Sequence, residues 1–372
     1  MQKLAQSWLV LQLSGSPVML GLDTFLGEIP IFLFSLVGGA IADRMDRRRL
    51  LVGSQVIQMS CALTLAALFA LGAARVWHIL SLSFVVGLAQ AFGGPAYQAI
   101  IPTMVDKEDV PNAIAMNSIQ FNLARVICPA IGGFALTKFG AAWCFGLNGA
   151  SFVAVIVSLM LVHIRFVPSP SGQSLMESMK SGLTFIRARE AMVSLIVLAF
   201  LMTLLGIPLI AFLPVVVRDV FRSGPDTYTL LLGVSGAGAI GGGLLVAASG
   251  HRPGRGRNAL VTLILLGLFM AGFARSRLLW LSCVLLFLAG VALISTFALL
   301  TSLVQLVATD EMRGRVMSVY NVAFRGGMPF GGLMTGPLVD RFSAPPVLAA
   351  YGGLIAVLGL YYLLVHRKVA SL

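Results

Sequence analysis

Charge is what this sequence has least of. Only 11% of its 372 residues are Asp, Glu, Lys or Arg, against roughly a quarter in soluble domains. The chain is 58% hydrophobic with a mean hydropathy of +0.95, more apolar surface than a soluble core needs. Cysteine is also scarce. Cys61, Cys128, Cys144 and Cys283 lie in apolar segments with no C-x-x-C spacing, so they read as small packing residues rather than disulfides or metal ligands. The four histidines (His78, His163, His251, His366) sit at the edges of apolar runs, and no H-E-x-x-H, G-x-S-x-G or G-x-x-x-x-G-K-[ST] occurs. The sequence therefore gives no sign of a metalloenzyme, a serine hydrolase or a nucleotide-driven motor. No cofactor, metal or catalytic residue is expected.

Long apolar runs are abundant instead. A helix of about 20 apolar residues crosses a hydrocarbon layer about 30 Å thick. Such runs stand at roughly 18–41, 50–71, 78–101, 113–137, 142–162, 191–216, 228–249, 259–274, 278–306, 315–339 and 346–365. The pattern predicts an all-α integral membrane protein whose first partner is the lipid bilayer. The leading "MQKLAQSWLVLQL" would be about 20 Å long as a helix, too short to cross. Its glutamines and the lack of an A-x-A site argue against a signal peptide. It is expected to be the end of a first span whose cytoplasmic half is missing, which would make twelve spans in all.

The longest polar interruption begins with "VPSPSGQS" and continues as an amphipathic "LMESMKSGLTFIRARE" expected to lie on the membrane surface. It divides the chain into an N-terminal helical bundle at 1–162, a cytoplasmic linker at 163–190 and a C-terminal bundle at 191–372.

The formal charge of +12 would suggest nucleic acid in a soluble chain. Here the basic residues occupy short turns between spans, so orientation explains them and no nucleic-acid partner is expected. Sixteen, including Arg44, Arg47, Arg48, Arg49, Arg313 and Arg315, fall on one side by alternation of the spans. Seven fall on the other: Arg75, Lys138, Arg218, Arg222, Arg275, Arg277 and Arg341. The excess predicts that the Arg44 side is cytoplasmic and that the C-terminus ends there, in a multi-pass protein of the cell (inner) membrane.

A shift of 200 aligns "SIQFNLARVICPAIGG" at 118–133 with "SVYNVAFRGGMPFGGL" at 318–333. Ser118, Arg125, Pro129 and Gly132 match Ser318, Arg325, Pro329 and Gly332. Two related six-helix halves follow from this, the parallel-repeat design of many secondary transporters.

Between the runs ending near 41 and starting near 50 stands "GGAIADRMDRRRLL", with six charges in the seven positions from Asp43 to Arg49. Gly39-x-x-x-Asp43-Arg44-x-x-Arg47-Arg48 resembles the signature of the major facilitator superfamily between its second and third helices. "WLVLQLSGSP", "ARVICPAIGG", "LPVVVRDVF" and "MRGRVMSVYNVAFRGGMPFGG" resemble its enterobactin-exporter-like branch of transmembrane secretion effectors. The likeness covers essentially the whole chain. Three positions depart from the pattern. Asp46 stands for the usual glycine, Gln90 is the sole polar candidate where many proton-coupled members carry an arginine, and Cys128 precedes Pro129 in place of glycine.

Gly38 and Gly39 are expected to let their helix pack closely on a neighbour. The resemblance implies that Asp43 helps hold the halves together on the cytoplasmic side. The arginines of this turn are expected to meet Asp310 and Glu311, beside Arg313. By the repeat, the basic turn "HRPGRGRN" is expected to meet Asp106, Glu108 and Asp109.

Outside the histidines, Asp23, Glu28, Arg125 and Arg325 are the ionisable groups expected well inside spans. Each costs roughly 2.5–3.5 kcal/mol at mid-membrane unless partnered or hydrated. Asp23 is close enough to the outer surface to be hydrated there. Glu28 and Arg325 both lie about 15 Å deep and, lacking another partner, are expected to pair across the halves. Ser118, Asn122, Arg125, Pro129 and Gly132 share one helix face, so Arg125 either lines a cavity or bonds carbonyls freed by Pro129.

The residues leave export, import and a non-transporting assembly role open. The resemblance implies a secondary active exporter of a small molecule by alternating access, with a proton gradient as driving force and protons as partners.

Overall fold

The computed structural model describes residues 1–106, 108–162, 175–249 and 254–372. The side chains of Asp43, Pro111, Ser118, Asn122, Arg125, Val126 and 175–178 are outside that description. Among the described residues the only regular structure is helical.

Short helix α1 (Gln2–Ser14) closes at Gly15, whose left-handed backbone (φ 66°) brings its N–H to Leu11 O at 2.8 Å. Glycine takes this conformation without a Cβ penalty. The chain then enters α2 (Pro17–Arg44), with proline at its first position. α3 (Arg47–Ala70), α4 (Val76–Ile100), α5 (Val110–Lys138) and α6 (Ala141–Leu161) follow.

Amphipathic α7 (Leu175–Arg187) precedes α8 (Glu190–Gly206), α9 (Pro208–Ala211) and α10 (Leu213–Asp219). The rest are α11 (Pro225–Ala248), α12 (Arg255–Arg275), α13 (Leu279–Val307), α14 (Asp310–Phe342) and α15 (Ala344–Leu364). Nine stretches of the described chain are long and apolar enough to cross a membrane. α5 and α14 match them in length at 29 and 33 residues. α14 is the most polar of the expected spans.

The run expected to be one span at 191–216 is three pieces. Pro208 and Pro214 have no N–H to give to the preceding turn, so the helix stops at Gly206, restarts at Pro208 and turns again at Phe212. The loose "VPSPSGQS" segment lies outside the described residues, as do His163, Arg165 and the "HRP" of the basic turn.

The chain forms two compact units, one of Met1–Gly15 and Leu22–Leu175, the other of Ser16–Gly21 and Met176–Leu372. α7 groups with the second, where Arg315 Nη1 donates to Ser181 Oγ at 3.2 Å.

The units repeat one packing plan. In the first, a Cβ on Gly38 would strike Ala91 O, so α2 approaches α4 backbone to backbone. In the second, Gly242 approaches Val291 O in the same way, joining α11 to α13. Small residues permit such approaches where lipid offers no hydrophobic drive to helix pairing. Gly39 has open space around it, so the expected close packing belongs to Gly38 alone.

The helices carrying the aligned sequences correspond too. A Cβ on Gly132 of α5 would lie 3.0 Å from Met1 Cα at the start of α1, and one on Gly331 of α14 would lie 2.5 Å from Leu204 O of α8. Thus α1 occupies in its unit the place that α8 takes in the other.

Large apolar side chains such as Leu33, Leu244 and Val357 are exposed, as expected of helices that meet lipid. Trp77, Trp143 and Trp280 are exposed within the first turns of α4, α6 and α13. A tryptophan at the end of a span suits the membrane–water interface.

Candidate functional site

α1 and the start of α2 form an antiparallel hairpin, so polar residues near their far ends meet. Lys3 Nζ lies 2.5 Å from Glu28 Oε1; the Glu28 side chain is 13% exposed and that of Lys3 87%. One turn along, Gln6 Nε2 donates to Asp23 Oδ1 at 2.7 Å and also to Ser83 Oγ. Ser83, on α4, donates to the same Asp23 oxygen at 2.5 Å. Gln2 Oε1 accepts from Asn148 Nδ2 of α6 at 2.8 Å.

Three side chains of α1 therefore reach three helices of its own unit. Gln6, Asp23 and Ser83 are all buried. A buried carboxylate needs such donors, and two point at one Asp23 oxygen.

Two expectations change here. Asp23 is not hydrated at a surface. Its position on α2 turns it toward Gln6 and Ser83 because α1 covers that face. Glu28 is not without a partner in its own unit, since the hairpin brings Lys3 to it. Lys3, Gln6 and Ser83, which contact the two acids, were not among the expected site residues. The signal was Lys3 and Gln6 at i, i+3 facing Asp23 and Glu28 across a turn at Gly15, a register that reads only once α1 is packed against α2.

Arg325 is half-buried on α14 and makes no ion pair or hydrogen bond among the described residues. The side chains of Arg125 and Asn122 lie outside the description. Pro129 and Pro329 are buried inside α5 and α14, and Gly332 O is the atom that a Cβ on Gly21 would meet at 2.5 Å. Gln90 is exposed. All four cysteines are free thiols, and among the described residues no cluster of three His, Cys, Asp or Glu could hold a metal.

The charged turn is built from helix ends. Asp46 caps α3, its Oδ1 accepting from Arg48 N at 2.9 Å, and its other oxygen pairs with Arg49 Nε at 3.5 Å. Arg47 donates to Ala42 O, in the last turn of α2, and to Ala99 O, in the last turn of α4, each at 3.2 Å. Arg48 donates to Met160 O, in the last turn of α6. The C-terminal carbonyls of a helix carry partial negative charge and lack intrahelical donors, so two arginines tie three helix ends together. Arg44 is exposed, and the Asp43 side chain is outside the description.

The expected acidic partners are also at helix starts. Asp310 pairs with Arg313 at 2.7 Å in the first turn of α14, and Arg313 Nε donates to Gln305 O at 3.3 Å. Glu311 is exposed in that turn. Asp106, Glu108 and Asp109 are exposed just before α5.

The sequence profile of the transmembrane secretion effectors matches residues 1–371. The chain is 24% identical over 371 residues to the staphyloferrin A transporter of Staphylococcus aureus, covering 97% of this chain and 91% of that one. It is 26% identical over 362 residues to the enterobactin exporter EntS of Escherichia coli, covering 93% and 82%. A solved structure of a variant of the nucleoside transporter NupG superposes with a TM-score of 0.76 at 14% identity, covering 97% of this chain and 94% of that one. The expected architecture of two repeated helical halves is thus the architecture found, and the chain belongs to the transmembrane secretion effector family of the major facilitator superfamily.

Proposed function

We propose that this protein is a secondary active exporter that moves a small molecule, siderophore-like or drug-like, by alternating access and draws on a proton gradient. The observation that supports coupling most is the pair of acids on α2. Asp23 and Glu28 lie within an apolar span and are held by side-chain donors from α1 and α4. Gln6 can reverse its amide and Ser83 can turn its hydroxyl. Asp23 can therefore be held as a carboxylate that accepts from both, or as an acid that donates to either. An acid that can be held in both states inside an apolar span is what proton exchange requires.

Glu28 would exchange Lys3 for Arg325 in the cycle, since sequence places the two at equal depth. The cytoplasmic turns would close one side of the pathway, with Asp43 and the arginines at 44–49 opposite Asp310 and Glu311, and the basic turn near 255 opposite Asp106, Glu108 and Asp109. The excess of basic residues supports a cytoplasmic C-terminus in a cell membrane.

The test uses proteoliposomes with an imposed pH gradient and a panel of catecholate and carboxylate siderophores, macrolides and lipophilic cations. Substrate movement that follows the gradient, and stops when an ionophore collapses it, is expected. Movement equal with and without the gradient overturns the coupling. Comparing everted with right-side-out vesicles separates export from import.

A further inference from the structure

Positive charge on the minority side is disfavoured by orientation, yet in the second unit it is concentrated. At the end of that unit carrying Trp280, away from Arg255, Arg313 and Arg315, a half-open recess of about 980 Å³ is lined by Arg222, Arg275 and Arg277 together with Asp219, Ser276 and Ser343. Arg218 and Arg341 stand beside it in sequence, so five of the seven basic residues that alternation of the spans assigns to the minority side belong to the second unit.

Arg222, Arg275 and Arg277 are exposed and make no ion pair or hydrogen bond among the described residues. The recess's one acid, Asp219, is already paired with Arg218 at 2.6 Å. The backbone is unusual at the same place. Among the described residues two non-glycine positions have left-handed φ, Arg222 at 49° and Ser343 at 67°, and both line this recess. Arg222 closes the end of α10, where Ser223 N reaches Val217 O at 3.1 Å, and Ser343 joins α14 to α15, so two tight helix-ending turns frame the recess.

Orientation does not account for these guanidiniums, and no carboxylate neutralises them. Planar guanidinium forks match phosphate oxygens in pairs. Exposed Trp280 stands three residues beyond Arg277, at the start of α13, and a tryptophan at a span end suits the headgroup level of a bilayer. From these facts we infer that the Arg222–Arg275–Arg277 recess binds a phosphate-bearing headgroup, the glycerophosphate of an anionic lipid, at the mouth of the second unit.

The test measures phospholipid retention on the full-length protein by native mass spectrometry, and melting temperature in neutral detergent, with phosphatidylglycerol, phosphatidylcholine or free glycerol phosphate added. Phosphatidylglycerol is expected to be retained and to raise the melting temperature, whereas phosphatidylcholine is not. Each of Arg222→Gln, Arg275→Gln and Arg277→Gln is expected to weaken retention about fivefold. Arg75→Gln and Lys138→Gln should leave it unchanged.

Equal stabilisation by free glycerol phosphate would support the anion recess but overturn the lipid as its source. Retention of phosphatidylglycerol that survives loss of all three arginines, or that falls equally with Arg75→Gln, overturns the site. Should the triple variant not express, the single surface variants give the same reading in graded form.

Discussion

Lys3 Nζ and Glu28 Oε1 are 2.5 Å apart, the ammonium exposed and the carboxylate largely covered. This pairing of a short first helix with the second neutralises a mid-span acid from within one unit. Lys3→Gln is expected to cost roughly 1–3 kcal/mol, the usual result of leaving a covered charge without its partner. Adding Glu28→Gln should restore most of it. Melting of the two single variants and the double variant in detergent checks this, and strictly additive losses would refute the pairing.

The Gln6–Asp23–Ser83 cluster separates stability from coupling. Gln6→Leu or Ser83→Ala should destabilise by roughly 1–3 kcal/mol, because Asp23 loses a buried donor. Asp23→Asn keeps the shape and should melt within about 1 kcal/mol of the parent while losing gradient-driven movement. A fully coupled Asp23→Asn protein would remove Asp23 from the cycle.

Asp46 stands where the superfamily signature usually has glycine, and it caps α3. Both residue types are accepted at a helix N-cap. Asp46→Ala should therefore cost about 1 kcal/mol and Asp46→Gly only about a few tenths. Chemical denaturation compares the two, and equal losses would mean that the aspartate acts elsewhere.

The arginines of the charged turn divide by what they touch. Arg47→Ala removes donors from two helix ends and should cost roughly 2 kcal/mol. Arg49, 87% exposed beside Asp46, should cost less than about 0.5 kcal/mol when changed to alanine. Thermal melts rank them, and equal effects would argue that the turn acts only through its net charge.

For the gate, Asp43→Asn is expected to slow transport with little change in melting temperature. Cysteines placed at 44 and 311 should crosslink mainly when the cytoplasmic side is closed. Equal crosslinking with and without substrate would reduce the stretch to an orientation anchor.

Helix positions were legible because hydropathy has one cause here, the bilayer. The ends of α3, α4 and α13 fall within a few residues of the apolar runs. The break after Gly206 was written in Pro208 and Pro214, but run length hid it because two prolines barely lower the mean hydropathy of so apolar a run. The repeat was visible in four matched residues of α5 and α14, and the glycine-mediated helix pairs extend it. The polar cluster was harder to see. Asp23 and Glu28 are conspicuous as isolated charges in an apolar run, but Lys3 and Gln6 come from a stretch read as the remnant of a span and not as a source of partners. Depth can be counted along one helix; partner choice depends on which helix covers which face, and hydropathy does not carry that.

The arginine ties at Ala42, Ala99 and Met160 have a consequence for biogenesis. Each helix C-terminus carries about half a negative charge, so the carbonyls held by Arg47 and Arg48 form a small anion made of backbone. While the chain is being threaded, these arginines are free to act as the address that keeps their turn on one side of the bilayer. Once α4 and α6 arrive, the same groups become mortar between helix ends. Address and mortar cannot be varied separately: moving those charges to invert the protein would also take apart the corner that receives them.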